Sequence, residues 1–133
     1  MSITELAPGL TGTIETTVTE ADLASALGSG DVTVLGTPRM IALAEGATVK
    51  AVASALAEGQ TSVGTRVDVR HLAASPLGAA ITASAELVAV SGKALTFRVE
   101  VRDDYGVVAD GTVERFVVDR ARFTERASQP RKG

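Results

Sequence analysis

Glu45 stands inside an otherwise apolar helical stretch, Met40-Ile41-Ala42-Leu43-Ala44-Glu45-Gly46-Ala47. A carboxylate is costly to bury without a partner. Either it rests at a partly wet helix contact, or it is a desolvated group tuned as a base or nucleophile. His71, the only histidine, falls in phase with Val67 and Val69 in an alternating run. It reads either as a core histidine bonded to a backbone carbonyl or as a carrier of protons. Arg115 is in phase with Val113 and Val117, while Asp110 and Glu114 lie on the opposite phase. Any carboxylate partner of Arg115 must therefore come from elsewhere in the chain. Three ionisable side chains thus occupy phases that a core would claim, which is the pattern of a site.

Thr37-Pro38 reads as a helix start, with Thr37 as N-cap and Pro38 at the first helical position. A helix N-terminus is also suited to a developing oxyanion. Pro38 has no N–H, so the available donors are those of Arg39 and Met40. Gly64 interrupts a strand pattern, as a bulge, as a close backbone approach, or simply as a strand start. Arg66 and Arg70 read as solvated surface. No cysteine is present, and one histidine cannot build a multi-histidine metal cage. There is no phosphate-binding Gly-rich loop, nucleophile elbow or metal motif, so no cofactor is expected.

The elements that would position these residues follow from the pattern. Leu10 to Val18 alternates and is rich in Thr, as a strand does. Glu20 to Leu27 suits a short helix, stopped by Gly28-Ser29-Gly30, and Val32 to Leu35 is a brief apolar stretch. A long helix runs from Thr37 to about Ala57 or Glu58, ending at Gly59. Apolar or small residues occupy nearly all its sides, which predicts burial. Four strands follow, over Val63–Leu72, Ala80–Val90, Leu95–Val101 and Val107–Val118, with turns at Ser75-Pro76-Leu77-Gly78, Ser91-Gly92 and Asp103-Asp104-Tyr105-Gly106. Residues from Arg120 onward read as a frayed, basic tail. The economical architecture is one buried helix wrapped by a curved antiparallel sheet. A free edge strand then favours edge-to-edge dimerisation.

At 133 residues the chain suits a single domain over 1–119, with 120–133 as the tail. A net charge of −3 gives no footprint for nucleic acid. No apolar run approaches the roughly 20 residues that span a bilayer, so no membrane partner is expected. Met1-Ser2-Ile3-Thr4-Glu5 lacks the regions of a signal peptide, which points to the cytoplasm.

Taken in order, Gly36-Thr37 with Glu45, Gly64-Thr65 leading to His71 and Ala74-Ser75-Pro76-Leu77-Gly78, and Gly111-Thr112-Val113-Glu114-Arg115 resemble the fluoroacetyl-CoA thioesterase family of hot-dog proteins. The resemblance covers about Leu35 to Val118. It implies an α+β hot-dog fold, with a long central helix in a curved five- to six-stranded antiparallel sheet, and a homodimer. It also implies hydrolysis of a small acyl-CoA thioester. Thr37, Glu45 and His71 become the catalytic set, Gly64 part of the acyl pocket and Arg115 a supporting residue; Arg39 and Met40 remain the candidate oxyanion donors. The chain departs from the family before the long helix. The fluoroacetyl-specific enzyme carries a Phe-bearing lid there, and this chain has no Phe before Phe97. An ordinary small acyl-CoA is the expected substrate.

In this reading Glu45 attacks the thioester or activates water, while His71 moves protons to the leaving thiolate or from the attacking water. Eight residues of one regular helix span about 12 Å with roughly 80° of rotation, so Thr37 and Glu45 cannot bond directly. Either the chain folds back at Thr37, or the site mixes two protomers. Two other classes stay open: a non-catalytic acyl-CoA or acyl-carrier binding module, and a structural dimer with a satisfied polar core.

Overall fold

In the computed structural model, which describes residues 5–131, strand β1 (Thr11–Thr17) is followed by a 3-10 turn at Glu20–Asp22 and a short helix α1 (Ala24–Leu27). Helix α2 spans Thr37–Val52 and tightens into a 3-10 turn at Ala53–Ala55. Strands β2 (Gln60–His71), β3 (Ala80–Ser91), β4 (Ala94–Asp103) and β5 (Gly106–Asp119) come next, and then helix α3 (Arg120–Ala127). The N-terminal residues 1–4, read above for a signal peptide, and tail residues 132–133 lie outside the described residues.

The strands form one five-stranded antiparallel sheet in the order β1-β3-β4-β5-β2. Only β3, β4 and β5 are a meander. The eight-residue segment between β2 and β3 is too long for a tight hairpin, and it carries β2 to the far edge, against β5. Strand β4 lies centrally and shows the alternation expected of it, with Leu95, Phe97, Val99 and Val101 buried. Together with Met40, Leu43, Ala44, Ala47 and Val52 of α2 they form the core. Small residues let helix and sheet approach closely: a Cβ on Gly12 of β1 would stand 2.5 Å from the Ala51 backbone nitrogen.

Three expectations need correction. Helix α2 is not enclosed on all sides, because Ala42, Val49 and Lys50 are exposed. The sheet of one chain covers only part of its circumference. Thr37 is not the N-cap but the first helical residue, following Gly36, and its side chain makes no capping bond. Residues 120–127 are helical rather than frayed: the Asp119 carboxylate accepts from the Arg122 N–H at 2.9 Å and so caps α3.

Candidate active site

A bulge in β2 sets the geometry. Gly64 pairs with Arg115 and Arg66 with Glu114, so Thr65 is the extra residue. The bulge changes the strand's parity. Ser62 and Gly64 before it therefore share the helix-facing side with Val67, Val69 and His71 after it. Gly64 proves to be both a bulge and a close approach: a Cβ there would lie 2.5 Å from Glu45 Oε2.

Glu45 and Arg115 meet at this point. Arg115 Nη1 donates to Glu45 Oε2 at 3.0 Å, Nε donates to the Ser62 hydroxyl at 2.8 Å, and Nη2 donates to the Ser62 carbonyl at 2.9 Å. The Arg115 side chain is 8% exposed and that of Glu45 is 34%. Burial pushes the guanidinium pKa down and Glu45 opposes that. A guanidinium nonetheless remains protonated in proteins, so Arg115 acts as a fixed fork that orients the carboxylate. Glu45 Oε1 has no hydrogen-bond partner among the described residues.

His71 lies at the other end of α2. Its Nδ1 shares a hydrogen bond of 2.7 Å with Thr37 Oγ1. Its Nε2 is buried and has no partner among the described residues. Burial pushes its pKa below the ordinary 6.5, and the Ala73 backbone opposes this without satisfying Nε2. The ring is therefore neutral at pH 7, with one nitrogen a donor and the other an acceptor. The Thr37 hydroxyl can fill either role, so it can stabilise whichever tautomer the chemistry requires.

Met40 leaves the set of substrate-binding candidates. Its side chain is fully buried in the core, and its N–H donates to the Gly36 carbonyl at 3.0 Å. The Thr37 and Arg39 N–H groups make no such backbone bond among the described residues and are the donors left at the start of α2. The Arg39 side chain instead binds Asp22, Nε to Oδ1 at 2.9 Å. Burial would raise the Asp22 pKa, but hydrogen bonds from the Thr19 N–H and hydroxyl, together with Arg39, hold it below the ordinary carboxylate value. Asp22 thereby ties the turn before α1 to the first turn of α2. The sequence reading had not singled out Asp22 or Ser62. Ser62 had a signal: a small polar residue two positions before Gly64, on its side of the strand.

Thr37 sits on the regular turn of α2, which removes the fold-back alternative. Within one chain Thr37/His71 and Glu45/Arg115/Gly64 are therefore two separate clusters, about 12 Å apart along the helix. Among the described residues no cluster of His, Cys, Asp and Glu suited to a metal ion occurs, and no helix is long and apolar enough to cross a membrane.

A helix cradled in a five-stranded antiparallel sheet is the hot-dog fold of the thioesterase superfamily. The family model for the fluoroacetyl-CoA-specific thioesterase, FlK, matches residues 18–121. A fluoroacetyl-CoA thioesterase from Streptantibioticus cattleyicolor is 38% identical over 96 residues, covering 72% of this chain and 69% of that protein. The structure of the fluoroacetyl-CoA thioesterase FlK superposes with a TM-score of 0.87 at 31% identity, over 96% of this chain and all of the other. A mutant of that enzyme in complex with acetyl-CoA gives 0.87 at 31%, over 94% and 100%. A thioesterase superfamily member from Thermus thermophilus gives 0.83 at 26%, over 95% and 91%. The chain belongs to the fluoroacetyl-CoA-specific thioesterase family and is a thioester hydrolase of acyl-CoA substrates.

Proposed function

We infer that the protein hydrolyses a small acyl-CoA ester at a site shared by two subunits, with Thr37 and His71 from one and Glu45 from the other. The observation that carries this reading is the separation of the two half-sites on one rigid helix. Strand β2 supports it: it is an edge strand, it carries both His71 and the Glu45-contacting Gly64, and Val67 on its helix-facing side is 38% exposed. Pairing two such edges around a twofold axis would cover Val67 and the open side of α2.

In this arrangement Glu45 Oε1 either attacks the thioester carbonyl, breaking the C–S bond and leaving an anhydride that water then hydrolyses, or draws a proton from the water that attacks the carbonyl itself, while Arg115 holds Oε2. The free N–H groups of Thr37 and Arg39 stand where the helix N-terminus favours negative charge on the carbonyl oxygen. The neutral His71 ring takes up at Nε2 the proton released by the attacking water, directly or by way of Glu45, and passes it to the departing thiolate, with the Thr37 hydroxyl holding the ring in orientation.

The test is complementation. Glu45→Gln and His71→Ala proteins are each inactive, but refolded together at equal amounts they regain roughly a quarter of wild-type activity, since half the dimers then hold one intact site. A mixture as inactive as its components, with subunit exchange verified by mass, excludes a shared site. Wild-type protein that binds CoA esters without turning them over would favour the binding module instead.

A further inference from the structure

A cleft of about 360 Å³ opens beside His71 and Thr37. One wall is the segment leading into α2, with Val32, Val34 and Leu35; the other is the chain just past β2, with Leu72, Ala73 and Ala74. Among the described residues of one chain, no Lys, Arg, Asp or Glu lines it, and no Phe, Tyr or Trp fills it. An acyl tail ending in a carboxylate would enter without a counter-charge, which is heavily disfavoured. A two-carbon acyl group would leave most of the space empty and most of its apolar wall wet. Val32 and Leu72, 55% and 52% exposed, are apolar surfaces in search of cover. Each methylene laid against such a surface contributes a factor of roughly four in binding.

We propose that the cleft is the acyl site and that it selects uncharged aliphatic acyl-CoA esters of about four to eight carbons over two-carbon ones, with Val32, Leu72 and Ala74 setting the preference. This rests on the thioesterase reading above and gives it a substrate class. His71 and Thr37 line the cleft, so the reacting carbonyl sits beside them and the tail runs between the two walls.

The experiment is a kcat/KM series on straight-chain CoA esters from acetyl to octanoyl, with fluoroacetyl- and succinyl-CoA alongside. Wild type should rise roughly fourfold per methylene to about hexanoyl, with succinyl-CoA among the poorest. Val32→Phe, at a solvent-facing loop position where folding is not at stake, should reverse the order toward acetyl. Ala74→Leu on the opposite wall should do the same. A series that peaks at acetyl or fluoroacetyl, or whose slope neither variant moves, overturns the proposal while leaving a thioesterase. If no ester turns over, the catalytic reading fails separately. The non-hydrolysable thioethers S-ethyl- and S-hexyl-CoA then decide the cleft: tighter binding of the hexyl compound, lost in Val32→Phe, upholds it, and equal binding overturns it.

Discussion

At the scale of single residues, the site is built from groups whose partners lie far off in the chain. Arg115 and Glu45 are 70 residues apart, and Thr37 and His71 are 34 apart. That Glu45, His71 and Arg115 were out of place was legible in the sequence because each broke a hydrophobic phase, while Thr37 was marked only as a helix start. Their pairing was not, because phase says which way a side chain faces and nothing of what it meets. His71 gives a pH prediction. Its folded pKa lies below 6.5, so kcat/KM should stay flat near neutrality and fall as pH drops through that lowered value, with an acid-limb pKa under 6.5. Stability shares the sign. The unfolded chain takes up the proton first as pH falls from about 6.5, so the contribution is fully present above that value and lost by the folded pKa. Urea unfolding at pH 7.5 and 5 should show a larger loss for wild type than for His71→Asn. Gly64→Ala is the complementary probe. The methyl would meet Glu45 Oε2, the end of a flexible side chain, so the fold should survive while the carboxylate is displaced. A fall of roughly 100-fold in kcat, with Tm nearly unchanged, is expected.

Among the elements, the order of helix and strands and the strand phases were readable because Val, Leu and Phe alternate cleanly, most plainly at Leu95, Phe97, Val99 and Val101. The placement of β2 at the far edge was not, since nothing local distinguishes a hairpin from a longer return. The capped helix α3 was missed because Arg-rich composition masked the cap at Asp119. Even parity up to Gly64 and odd parity from Val67 to His71 would look like two conflicting strands. One residue, Thr65, reconciles them. Close packing of β1 on α2 offers a direct test. Gly12→Ala would press a methyl against the helix backbone, which cannot yield as a side chain does. A destabilisation of about 2–3 kcal/mol in urea unfolding should follow.

For the whole molecule, the open side of α2 and the free edge of β2 lie together, and the reading of a shared site depends on them. Val67→Asp should weaken edge pairing, shifting sedimentation toward the monomer and lowering activity in parallel. A monomer that kept full activity would refute the shared site. The rigid spacing of Thr37 and Glu45 on one helix then has a kinetic consequence. If the site is shared as proposed, an enzyme that cannot bring its own two halves together has a turnover that depends on encounter. Its specific activity is a property of the solution as much as of the chain: level when concentrated, and falling on dilution below the dissociation constant of the pair. Velocity should there climb as the square of the protein added, and an inactive Glu45→Gln protein added in excess should restore part of it by supplying the missing neighbour.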